Sequence, residues 1–437
     1  MRRENFLRLI VPVVGVGSLT ILTIVYLVDY KDYYRVLATL GVPVPSYPFI
    51  DWEFIGASVK CWSQGVNVFV ADPCDVINRV YDYSPLWLRA IFIPTDRIWT
   101  NPIGIAMVLG FVLSLFWLVR PASWGEAIVF VMACTSTVVL FCLERGNVDV
   151  IIFIMMVVAG VLSTKQLGMR LLSYGIILLA GLLKFYPLIA FWTAFRERQR
   201  NFLLIAGTAG VIVIAFFVKF REEMTVAWRN IPHVGFGATD LPFGAPAMVT
   251  RLFPGLQAIE RLAFFPYALM GILLILTVMQ VIRLIREGGL GAAFGAMPEQ
   301  AAVFLVIGAA LMVGCFFAGQ SIGYRAVHFV FVVAGFVVMR RTAADTATRA
   351  TLACTTAMVI FLMWEPAIRP AGPEDVSGLA LWRYTLFWLI DQFFWWRVMA
   401  VLLAVLVIFT GRSELVTALR FRGELFEILK PVTVKRN

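Results

Sequence analysis

The chain contains only two histidines among 437 residues, and just 15% of its residues are charged. It has no His/Asp/Glu spacing of the kind a helical metal site uses, and no glycine-rich phosphate loop. Zinc hydrolysis and nucleotide-driven transport therefore find no support in the sequence. There is no internal repeat and no low-complexity segment. The six cysteines do not form a disulfide framework: Cys134, Cys142, Cys315 and Cys354 fall in apolar runs and read as packing residues. Cys61 and Cys74 differ, because both fall in the first long polar stretch. In an oxidising compartment those two can bridge.

Apolar residues are what the chain has in excess. It is 61% hydrophobic with a mean hydropathy of +0.86, and stretches of roughly twenty apolar residues recur along it, the length that crosses a bilayer. They lie near 8–28, 103–119, 125–142, 148–164, 202–218, 264–283, 300–318, 326–339, 350–364 and 390–410. The N-terminus places Arg2, Arg3 and Arg8 ahead of the first run and has no small-residue cleavage site, so it reads as a retained span. The expected fold is an all-α polytopic membrane protein, a single transmembrane domain over residues 1–437 with about ten to twelve spans.

One further apolar segment, "LLSYGIILLAGLLKFYPLIAFWTAF" at 171–195, has a lysine, Lys184, at its middle. Arg170 flanks it on one side and "RERQR" on the other, so the positive-inside rule puts both ends in the cytoplasm. The segment must then turn back as a re-entrant hairpin of two half-spans, at "KFYP", where Pro187 interrupts helical bonding. About 13 residues carry the chain up to Lys184, roughly 20 Å, which sets its ammonium deep. With this hairpin, both termini are cytoplasmic, as is the basic tail 411–437. The net charge of +10 then falls on the cytoplasmic side, where it reports orientation and anionic-lipid contact rather than nucleic-acid binding. Three long loops, about 29–102, 219–263 and 365–389, remain outside and suggest chemistry or recognition on that face.

Four groups of residues could carry that chemistry. In the first loop, Trp52, Ile55, Val59 and Trp62 recur at helical spacing, which predicts a helix lying in the membrane interface. Asp51 stands at its start as a helix cap or a general base, with Glu53 two residues on. In "LERGNVDVIIF", Glu144, Arg145, Asn147 and Asp149 crowd a short turn that needs only Gly146 and Asn147. The third group is Lys184 with Tyr186 and Pro187, the lysine facing either a cavity or a carboxylate such as Asp149. In "GQSIGYRAVHF", Gln320, Ser321, Tyr324, Arg325 and His328 end two spans, and His328 follows Arg325 by three residues on one helix face. The other histidine, His233, sits in a Gly/Pro-rich loop able to close over a substrate. Cations at lipid depth suit a phosphate whose substituent is hydrophobic, such as an isoprenoid lipid phosphate carrying a sugar.

With these residues the sequence resembles the GT-C membrane glycosyltransferases, most closely the bacterial branch that includes polyprenyl-phosphomannose-dependent mannosyltransferases. The motifs that match in order are Asp51 followed by "GVNVF" and "YDYSP", then "RGNVD", then "KFYP", with "SIGYRAVHF" a weaker fourth. They cover mainly the first half of the chain. The chain departs from the pattern at Ser84, where a second proline is common, and in the Cys61/Cys74 pair. The resemblance implies a GT-C-like bundle in the bacterial inner membrane with its active site on the extracytoplasmic face. It implies that Asp51 deprotonates a hydroxyl of a lipid or polysaccharide acceptor, and that the sugar is transferred with inversion from a polyprenyl-phosphate donor. Lys184, Arg325, Arg145 and His328 would hold the departing phosphate, with Glu53, Asn147, Asp149, Tyr186, Tyr324 and Gln320 around the substrate and no cofactor or metal. Mannose is the family's sugar; arabinose and glucose are open. The alternatives are a lipid-linked-sugar flippase or transporter, and an O-antigen polymerase or ligase, which normally takes a diphosphate-linked donor.

Overall fold

The computed structural model describes residues 3–44, 47–90, 92–118, 120–231, 243–246, 264–319, 321–369 and 379–420. Among these residues the chain is helical throughout. Its α-helices are α1 (Arg3–Val28), α2 (Tyr30–Thr39), α3 (Ile50–Ser63), α4 (Pro85–Leu88), α5 (Thr100–Leu118), α6 (Trp124–Cys134), α7 (Thr137–Glu144), α8 (Val148–Ser163), α9 (Leu167–Lys184), α10 (Gln199–Lys219), α11 (Arg221–Asn230), α12 (Phe264–Arg286), α13 (Gly289–Gly295), α14 (Glu299–Phe317), α15 (Phe329–Thr342), α16 (Thr346–Ile368), α17 (Leu379–Gly411) and α18 (Glu414–Arg420). Nine helices among the described residues are long and apolar enough to cross a bilayer, or ten when the bent α6–α7 pair counts as one span. That meets only the lower edge of the expected ten to twelve.

The bundle is built around α14 and the segment leading into α15, whose apolar windows are 78% and 83% buried, while those of α1 and α10 are only 11% buried and face outward. Small residues let the central helices approach closely. A Cβ on Gly308 would lie 2.6 Å from Phe331, and one on Gly335 would lie 2.5 Å from Leu305. The expected run 125–142 is broken at Thr135–Ser136 by a 45° bend. Thr135 and Ser136 donate their hydroxyls back to the carbonyls of Val131 and Ala133, both at 2.8 Å, a local bond that competes with the helical ladder and bends it.

The hairpin differs from the expected pair of half-spans. α9 runs 18 residues, about 27 Å at 1.5 Å each, and is long enough to cross by itself. The chain reverses at Phe185 (φ 32°) and returns as a 3-10 segment, Tyr186–Arg196. Arg170 meets Glu197 at 2.7 Å, so the two arms begin and end together. The region 365–389 is also less of a loop than expected: α17 starts at Leu379 and continues for 33 residues. In 219–263 the described part opens with α11, whereas His233, Gln320 and the basic tail beyond Arg420 lie outside the described residues.

The predicted helix in the first loop is α3, and protein covers it all round. Every residue from Ile50 to Val59 is buried, on both faces. Below it sits an aromatic cluster of Phe54, Phe69, Tyr81 and Tyr83, with ring centroids 5.3–6.1 Å apart. Cys61 and Cys74 are joined as a disulfide with Cα atoms 5.9 Å apart, and Ser58 donates to Asp72 at 2.5 Å. From α11, Asn230 donates to the carbonyls of Phe69 (2.8 Å) and Tyr81 (3.1 Å), tying the loop to the bundle. Asp51 does not cap α3. Phe49 precedes the helix in a left-handed conformation (φ 63°), and its amide donates to the Glu144 carbonyl at 2.6 Å.

The Phe49 ring fills the space above Gly104, where a Cβ would sit 2.2 Å from it. Gly104→Ala must therefore displace Phe49 and tilt the start of α3. Overpacking of this kind costs about 1–3 kcal/mol, so the thermal midpoint should drop measurably. Gly17→Ala, where a Cβ meets nothing within 4 Å, should leave the midpoint unchanged or raise it.

Candidate functional site

The charged residues of three sequence groups converge where the α7–α8 turn, the start of α3 and the tip of the hairpin meet. Gly146 takes φ +57°, and this turn lets Asn147 cap α8 by accepting from the Asp149 amide at 3.0 Å. The same turn presents Arg145 to α3. Its guanidinium holds Asp51 with two hydrogen bonds, Nε to Oδ2 and Nη2 to Oδ1, both 2.8 Å. Arg79 adds a third at 2.9 Å, and the Asn147 amide a fourth at 2.7 Å. Burial alone would raise the Asp51 carboxyl, but the Arg145 and Arg79 charges and the Asn147 bond outweigh it and hold it at about 2. Asp51 is thus a buried anion at 3% exposure with its acceptor capacity used.

Arg79 was not singled out by the sequence. It bridges Asp51 and Asp75, donating to Asp75 through Nε (3.1 Å) and Nη2 (3.0 Å), and stacks over Phe54 at 4.3 Å. The only local signal was the Asp75–Arg79 spacing of four. Glu53 is not part of this centre. Two residues on from Asp51 it leaves α3 on a different side, where Oε1 lies 3.2 Å from Arg97 Nε.

A second layer forms at the hairpin tip. Lys184 lies 2.9 Å from Asp149 Oδ2 and donates to Asn147 Oδ1 at 2.9 Å. Its ammonium sits between the rings of Tyr83 (5.3 Å) and Tyr324 (5.1 Å). Of the two partners open to this lysine, the structure gives it the carboxylate, with 9% of its side chain exposed. Tyr186 donates to the other Asp149 oxygen at 2.7 Å, and its hydroxyl is 2.7 Å from His328 Nε2. The 3-10 turn Gly323–His328 places Arg325 and His328 one turn apart. His328 is fully buried. Arg325 is half-buried, lies 5.5 Å over the Tyr186 ring and donates to Ser321 Oγ at 3.1 Å.

Most charges here are matched: Asp51 with Arg145 and Arg79, Asp75 with Arg79, and Asp149 with Lys184. Two are not. Among the described residues Arg325 has no carboxylate partner within ion-pair distance, and its Nε is buried without an acceptor. Asp82, the carboxylate of "YDYSP", is half-buried and has no hydrogen-bond or ion-pair partner among the described residues. Burial raises its carboxyl to about 6, against the pull of Lys184, Arg79 and Arg325 and with the push of Asp51. Its field therefore couples to the same cations. The arrangement can take up a proton at Asp82 and an anion at Arg325.

No protein-family model, curated protein or solved structure matches the chain. The site is therefore read from its own chemistry.

Removing one partner from a buried ion pair costs about 3–5 kcal/mol. Asp51→Asn should lower stability by that order in denaturant titrations, whereas Arg97→Ala, whose side chain is 63% exposed, should change it by less than about 1 kcal/mol. Because the Asp51 carboxyl lies at about 2 when folded and about 3.9 when unfolded, its contribution should be complete above pH 4. It should be lost as the pH falls toward 2.

Proposed function

We propose that the protein is an inverting membrane glycosyltransferase that moves a sugar from a polyprenyl-monophosphate donor to a hydroxyl of a lipid or glycan acceptor. The observation that carries this reading is that one unpaired cation, Arg325, and one unpaired carboxylate, Asp82, stand within each other's field beside a network of matched ion pairs. Such a pair suits a reaction in which an anion leaves and a proton must be removed. The acceptor hydroxyl gives its proton to Asp82 as its oxygen bonds to the anomeric carbon. The bond from that carbon to the phosphate oxygen breaks, and the phosphate dianion departs against Arg325. Tyr186 and His328 act as positioning residues that fix Arg325, and Lys184 keeps Asp149 and Asn147 in register. Asp51, expected as the base, serves here to anchor Arg145 and Arg79. The family's usual sugar, mannose, is the first donor to test.

Orientation follows from charge. The end of the bundle opposite this centre carries Arg170, Arg196, Arg340 and Arg341 with the N-terminus, and the positive-inside rule assigns that end to the cytoplasm. The site then faces the extracytoplasmic side of a bacterial inner membrane. A flippase would also gather cations in its interior, but it breaks no glycosidic bond and so needs no base to take a hydroxyl proton. An O-antigen polymerase or ligase reading would call for a diphosphate-linked donor.

In nanodiscs supplied with polyprenyl-phosphate sugar and envelope lipid extract, Asp82→Asn should lower turnover by about 10²–10⁴-fold with donor binding retained. Wild-type kcat/KM should fall below about pH 6, the value to which burial raises Asp82, and that limb should vanish in the variant. Arg325→Gln should weaken donor binding by about 10–100-fold, the worth of a charged hydrogen bond. Full activity in a well-folded Asp82→Asn protein would remove the proposed base.

A further inference from the structure

Glu144 belongs to the same turn as Arg145 but not to the charge network. It is 6% exposed, and neither of its carboxylate oxygens has a hydrogen-bond partner among the described residues. A buried carboxylate left without donors is costly, and native proteins rarely keep one unless something else completes it. Glu144 closes one end of a groove of about 190 Å³ that runs between α1, α5 and α7. The walls are aliphatic, from Leu19 and Leu22 of α1, Val108 and Val112 of α5, and Leu140 of α7. Tyr26 and Tyr33 join Glu144 at the polar end. α1 itself presents Val13, Ile21, Ile24 and Leu27 outward, each more than half exposed, as a span facing lipid does.

We propose that this groove binds a membrane lipid with an uncharged, hydroxyl-bearing head group, its chain along α1 and α5 and its hydroxyls donating to Glu144. The carboxylate selects the chemistry. It accepts hydrogen bonds from hydroxyls, and among the described residues no lysine or arginine lines the groove to meet a phosphate, so a neutral glycosylated or polyol-headed lipid fits where a phospholipid or a polyprenyl phosphate does not. The Phe49 ring and the Glu144–Phe49 backbone bond stand between the groove and Asp51, so this lipid site is separate from the Arg325 centre. The inference does not depend on the transferase reading.

The test uses the full chain in nanodiscs with two photoreactive probes of identical alkyl chain, one carrying a glucosyl head and one a phosphate. Cross-linked residues are mapped by mass spectrometry. The glucosyl probe should label the α1 and α5 peptides that line the groove, and the phosphate probe should label them at least about tenfold less, the discrimination of a charge-assisted hydrogen bond. Leu22→Trp, which fills the groove at the lipid boundary, and Glu144→Leu should each remove the glucosyl labelling. Glu144→Gln, which keeps the shape, serves where the leucine variant does not fold and should weaken labelling. Equal labelling by both probes, or glucosyl labelling left undiminished by substitution of Glu144, would overturn the proposal.

Discussion

A single carboxylate with four donors on it joins the parts of this protein that make up the candidate site. Asp51 comes from the first loop, Arg145 and Asn147 from the α7–α8 turn, and Arg79 from the far side of the same loop. Without that anion two guanidinium groups would face each other in a desolvated space. With it, the turn is fixed, and Asn147 is free to use its other face on Lys184. The hairpin tip then docks, and Tyr186 reaches both Asp149 and His328. The contacts run from loop to turn to hairpin to the 3-10 turn that opens α15.

The proposed function rests on a division between charges that hold and charges that act. A carboxylate that accepts from two arginines and an amide is a poor base, because every acceptor bond stabilises its ionised form. The acting charges are those the network leaves over, Arg325 and Asp82. Arg325 is held by a ring and a serine hydroxyl rather than a carboxylate, so an incoming anion need not displace a partner.

Much of this architecture was legible in the sequence. The helices follow from apolar runs, and the reversal at 184–187 follows from cationic clusters at both ends of one apolar segment, now seen as the Arg170–Glu197 contact. The Cys61–Cys74 bridge and the gathering of Arg145, Asn147, Asp149, Lys184, Tyr186, Tyr324, Arg325 and His328 were also within reach. What could not be read were partners set by long-range packing. Nothing near Asp51 says that Arg145, 94 residues away, will neutralise it. Periodicity showed that α3 is a helix but not that both faces are covered, since burial depends on loops that carry no period. Asp82 lies within "YDYSP", and its surroundings are set by residues distant in sequence such as Lys184 and Arg325.

The most direct measurement uses purified protein in sealed proteoliposomes with a polyprenyl-monophosphate sugar labelled at the anomeric carbon. A neutral lipid acceptor is present, and label and carrier are followed together. The account predicts that label appears in the acceptor with inverted anomeric configuration, with one free polyprenyl phosphate released for each sugar moved. Intact donor reaching the opposite leaflet, with no sugar transferred, would contradict it and identify a transporter instead.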